Sequence, residues 1–177
     1  MANNRASYAL GPEEGEAFWG FGSLWTIKAS AEQTGGRFSL IEELAPIGAA
    51  TPLHVHREDD ETFYVLEGEL TFYLDEGPPI VASAGSFVHI PGGVIHAFQV
   101  DSETARYLII STPQHERFYR AAFGEPAQSR TLPPEGPLDM ERIEAAAQEY
   151  KVEMLSPRRA SKPRDGLLPV LEGFIPS

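Results

Sequence analysis

Cysteine is absent from this sequence, which removes disulfides and thiolate chemistry from the explanations open to it. No apolar run approaches the roughly 20 residues that a membrane-spanning helix needs. Basic residues are scarce. Lys and Arg number 14 against 26 Asp and Glu, and the formal net charge of −12 argues against nucleic acid or an anionic membrane surface as a partner. The N-terminal stretch lacks the basic-then-apolar order of a signal peptide, so a cytoplasmic protein is expected. No segment repeats another. A chain of 177 residues suits one domain with a sizeable core.

What the sequence does have is concentrated between Gly48 and Gly68. His54 and His56 are two residues apart, which puts both imidazoles on one face of a strand. Glu61 follows the acidic turn Arg57, Glu58, Asp59, Asp60, and Thr62 to Leu66 is β-branched and aromatic. A hairpin over this stretch would return Glu61 beside the two histidines. His96 stands after Pro91-Gly92-Gly93, a turn that reverses the chain toward the same place. Imidazole and carboxylate together form a ligand set for first-row transition metals. The absence of thiolate argues against a closed structural zinc site.

The spacing itself resembles a known family. Gly48, His54, His56, Glu61 and Gly68 fit the first cupin motif, and Gly85, Pro91, Gly93 and His96 fit the second as far as its histidine. Val100 stands where the second motif usually closes with Asn. The resemblance covers about residues 38–112. It implies an all-β fold, a small jelly-roll barrel, with His54, His56, Glu61 and His96 holding one divalent transition metal (Mn, Fe, Ni, Co, Cu or Zn). Residues 1–112 would form this barrel with an N-terminal arm and a motif core at 48–100. Residues 113–177 would form a helical, proline-rich extension and tail of the same domain; nine of the 15 prolines lie from Pro113 onward.

Around that centre, short strands are expected over 23–30, 37–44, 52–56, 62–66, 70–74, 80–82, 86–90, 97–100 and 105–110, with Glu67-Gly68-Glu69 as a tight hairpin. Phe18, Trp19, Phe21 and Trp25 either pad one end of the core or a subunit interface, or form a stacking wall for an aromatic ligand. His115 to Phe123 reads as a helix stopped by Gly124. Asp139 to Tyr150 reads as a second, with Asp139 as N-cap and Met140, Ile143, Ala147 and Tyr150 as its apolar stripe. Residues 155–177, with Arg158, Arg159, Lys162 and Arg164, read as an extended tail. His89, Phe63, Phe87 and Phe98 are candidate pocket residues, and His115 reads as a surface residue.

An open metal site of this kind can activate O₂, bind a chelating substrate or act as a Lewis acid. The single-barrel layout is similar to quercetin dioxygenase-like cupins. The resemblance therefore implies a metal-dependent dioxygenase acting on a small aromatic or enolic compound, with Glu61 doubling as catalytic base. The same fold also hosts redox-neutral isomerases and decarboxylases, and non-catalytic small-molecule binders. Open sheet edges invite a homodimer.

Overall fold

The computed structural model describes residues 6–123, 126–134 and 136–155. The expected Gly124 stop, the first residues of the arm and the tail after Leu155 lie outside the described residues. The elements are β1 (Glu16–Gly20), β2 (Ser23–Ala29), β3 (Ser39–Pro46), β4 (His54–His56), β5 (Glu61–Glu67), β6 (Glu69–Leu74), β7 (Ile80–Ser83), β8 (Phe87–Ile90), β9 (His96–Val100), β10 (Thr104–Ser111), α1 (Pro113–Phe123), α2 (Met140–Glu149) and β11 (Val152–Met154).

They build two antiparallel sheets. One has six strands in the order β1-β2-β3-β10-β5-β8, and the other has five in the order β11-β4-β9-β6-β7. The expected barrel is thus seen as two sheets, and among the described residues no strand belongs to both. β5 faces inward with Glu61, Phe63 and Val65, and β3 with Ser39, Ile41, Glu43 and Ala45, all buried. This period-2 alternation is what one covered sheet face requires. Phe63, Phe72, Phe98 and Tyr107 meet between the sheets, with Phe63 4.9 Å from Phe72 and 5.3 Å from Phe98. Val100 is fully buried in that core, and its N–H donates to the Ala49 carbonyl.

Both expected hairpins are absent. β4 and β5 belong to different sheets, as do β5 and β6, and β9 and β10. The acidic turn, Gly68 and the Asp101–Glu103 turn therefore carry the chain from one sheet to the other. The correction has a simple cause: a short turn between two alternating segments reads the same whether the second strand pairs with the first or crosses over to face it.

The C-terminal helices pack on one end of this scaffold. Pro113 opens α1, a position where the missing N–H costs nothing. The Asp139 carboxylate accepts from the Arg142 N–H at 3.1 Å and caps α2 as expected. Ile143 and Ala147 are buried, with Met140 and Tyr150 packed against the core. Phe18 and Trp25 are core residues. Gly20 has no side chain because the Phe123 ring occupies that space. Two strands went unforeseen, β1 and β11. Among the described residues, no helix is long and apolar enough to cross a membrane.

Candidate metal centre

Two crossings between the sheets, at the acidic turn and at the Pro91-Gly92-Gly93 turn, assemble the site. β4 holds His54 and His56 in one sheet, and β5 begins with Glu61 in the other. β9 lies beside β4, with His96 directly opposite His54. The turns that lead to Glu61 and His96 are tied together. The Gly93 N–H donates to the His56 carbonyl at 2.7 Å, and the Gly92 N–H to the Asp60 carboxylate at 2.9 Å. Gly93 has φ 89°, a left-handed conformation that glycine adopts without strain. Asp59 of the acidic turn is buried and accepts from the Thr112 hydroxyl, which fastens the start of α1 to the same turn.

The result is a buried cluster of His54, His56, Glu61 and His96, each offering a ligand atom within 4.8 Å of the others. Two of the imidazoles are oriented by the backbone. Nδ1–H of His54 donates to the Pro52 carbonyl at 2.8 Å, and Nδ1–H of His96 to the Val94 carbonyl at 3.0 Å. A carbonyl can only accept, so Nδ1 carries the proton and Nε2 is left to face the centre, as it does in many metal-bound histidines. His56 is buried with neither ring nitrogen partnered. An orphaned buried nitrogen costs about 1–3 kcal/mol, and a metal would satisfy it. On these grounds the four residues fit a divalent transition metal.

The electrostatics agree. Burial pushes His54 well below the usual imidazole range and also lowers His56, so both offer lone pairs at neutral pH. Burial disfavours the Glu61 charge, yet the imidazoles of His115, His96 and His56 hold that carboxyl well below its usual range. His96 is buried too, but its contact with Glu61, Nε2 to Oε2 at 3.1 Å, raises it.

Not every expected residue joins the site. His89 is exposed and bonds the Thr62 hydroxyl at 2.9 Å on the outer sheet face, beside Phe87, which is 64% exposed. On β8 it is Val88 and Ile90 that point inward. Phe63 and Phe98 are core residues. His115 is the opposite correction: expected at the surface, it is 2% exposed and its Nε2 lies 3.6 Å from Glu61 Oε1. Burial pushes it down to about 3, so it is neutral at pH 7. Its ring stacks between His56 and Tyr119, at 4.4 and 4.6 Å. The signal was in the helix period, because positions 115, 118, 119 and 122 form one stripe.

A narrow opening beside His54 and His56 is walled by Phe21, Trp25, Phe118, Tyr119, Val152 and Met154. The aromatic N-terminal segment thus pads the core and also borders this opening. A wider surface cleft lies between residues 30–36 and α1. There Arg120 is engaged by Glu116 at 2.8 Å and Glu16 at 2.6 Å, so it offers little free chemistry.

Residues 40–111 match the cupin domain family. Over 134 residues, 75% of the chain, it is 29% identical to quercetin 2,3-dioxygenase of Bacillus subtilis (strain 168), of which it covers 39%. It is 36% identical over 63 residues to an uncharacterized protein of Aquifex aeolicus (strain VF5), covering 51% of that protein. The chain therefore spans about two-fifths to half the length of these relatives. Among solved structures it resembles the polyketide cyclase RemF from Streptomyces resistomycificus, with a TM-score of 0.54 and 20% identity over 82% of this chain and 97% of that one. It also resembles KdgF from Halomonas sp., with a TM-score of 0.53 and 19% identity over 61% and 94%. At such identities these likenesses bear on the fold alone.

Proposed function

We propose that the protein is a metal-dependent dioxygenase of a small aromatic or enolic compound, with His54, His56, Glu61 and His96 as ligands and a jelly-roll cupin as scaffold. The observation that carries this reading is the buried three-imidazole, one-carboxylate cluster bordered by an aromatic wall. The partial likeness to quercetin 2,3-dioxygenase supports it. A divalent metal in the cluster would lower the pKa of a bound substrate hydroxyl and supply the electronic link to O₂.

The residues of the chain do the rest. His54 and His96 present Nε2 because their Nδ1 atoms are committed to backbone carbonyls. Glu61 is one of the four converging groups, so an Oε atom would take the substrate proton once metal binding had made that proton acidic. Trp25, Phe118 and Tyr119 exclude water and favour a flat, apolar body. Oxygen uptake by the metal-loaded protein with a panel of flavonols and enediols is the test. Uptake with any of them supports the reading. Turnover without uptake would favour isomerisation or decarboxylation, and a ligand-induced melting shift without turnover would favour a binding protein.

We take the helical region after Thr112 as one unit with the sheets, because β11 pairs with β4 and α1 supplies the site wall. A homodimer is the proposed assembly. Phe18 and Trp25 are committed to the core, so the contact would draw on exposed apolar side chains such as Tyr64, Phe87 and Ile110.

A further inference from the structure

Beside the cluster, the His115 imidazole and the Tyr119 hydroxyl have no task in the mechanism above. His115 and Tyr119 are four residues apart on α1, so they share a face and stack at 4.6 Å. At Glu61, His96 approaches one carboxylate oxygen, Oε2, at 3.1 Å, while His115 Nε2 stands 3.6 Å from the other, Oε1. Burial pushes the Tyr119 hydroxyl well above its usual range, and the Glu61 charge adds to that rise. His115 Nδ1 is buried and has no partner. The placement is held from several sides: Thr112 bonds Asp59, and the Gln114 side chain donates to the Tyr150 carbonyl at 3.0 Å. His115 also lies beyond residues 40–111, the segment that matches the cupin family, so it belongs to the helical part of this chain.

We propose that α1 carries a clamp for Glu61, in which His115, braced by Tyr119, holds the Oε1 side of the carboxylate so that Oε2 faces His54, His56 and His96. His115 is then a positioning residue for the metal, acting through Glu61 rather than as a fifth ligand. The inference rests on the reading that these four residues bind a metal. A free carboxylate rotates about its last bond and loses that freedom on binding, whereas one already held by a neighbouring donor loses less. The separation of 3.6 Å is slightly beyond hydrogen-bond length, so the clamp requires that His115 and Glu61 draw closer when the metal binds.

The test is a double-mutant cycle read as Zn²⁺ affinity, measured by competition with a chromophoric chelator and so independent of turnover. H115F should weaken Zn²⁺ binding about 10-fold, the lower end of the range for groups that orient a metal ligand. H115Q, whose amide can donate to Oε1, should recover most of the loss. In a Glu61→Ala background the same H115F change should shift affinity less than about 2-fold, because its target is gone. An equal fall in both backgrounds would mean that His115 meets the metal itself, and no fall in either would remove the clamp; both overturn the proposal. Wild-type protein that takes up no Zn²⁺ would overturn the metal reading, and the clamp with it, before any variant is compared. Should H115F fail to fold by circular dichroism, H115N, too short to reach Oε1, replaces it in the cycle.

Discussion

Replacing Glu43 with Gln should change how stability depends on pH more than it changes stability itself. Glu43 points into the core from β3 beside Trp25 and Tyr107, its partners across neighbouring strands. It is 2% exposed, and burial pushes its carboxyl from 4.5 up to about 8. The Ser23 and Tyr107 hydroxyls face it and pull the other way, but poorly: both hydroxyls and Glu43 Oε2 lack a partner with good geometry. Between pH 4.5 and 8 the unfolded chain has released this proton and the folded chain has kept it. Folding therefore takes up a proton, and stability falls as pH rises through that window. Its contribution is fully present below pH 4.5 and lost by about pH 8. The separation of about 3.5 units at 1.36 kcal/mol per unit corresponds to roughly 5 kcal/mol, an upper figure. Gln carries no titrating proton, so E43Q should lose that fall and overtake the wild type in relative stability toward pH 8. Urea unfolding of both proteins from about pH 5 to 9, followed by Trp fluorescence, measures the difference. Parallel curves for the two proteins across this range would refute the reasoning.

Glu61→Gln should retain much of its metal and lose about 10²–10⁴-fold in turnover once a substrate is in hand, the usual scale for a positioned acid–base group; metal content and rate on one preparation decide it, and outright metal loss would make Glu61 chiefly a ligand. Ending the chain after Thr112 should strip β11 from β4 and uncover Trp25, so the truncated protein should aggregate or melt far lower, and unchanged melting would contradict the packing described. Light scattering at tens of micromolar should give a homodimer mass; a monomer would contradict the proposed assembly.

Much of the site was legible because its information is local. His54 and His56 share a strand face by spacing alone, and Glu61 and His96 sit next to turn residues that can be read directly. The strands were legible for the same reason, since alternation of buried and exposed positions is a period-2 signal. What could not be read was which sheet each strand joins. That depends on pairing between distant segments, such as β5 with β10 and β4 with β11, and a turn sequence does not encode it. His89 and His115 make the same point from two sides. His89 stands next to the second motif, but β8 turns it to the outer face. His115 lies nineteen residues after His96, yet the Thr112–Asp59 bond brings its helix over the site. Three-residue β11 was invisible because so short a strand has no period of its own.

Metal content measured by elemental analysis, on wild type, His54→Ala and His96→Ala purified without chelators, tests the central claim most directly. Four convergent donors predict close to one divalent transition metal per wild-type chain and a large loss in both variants. Full occupancy in both variants, or none in the wild type even after incubation with Mn, Fe, Co, Ni, Cu and Zn salts, would contradict it.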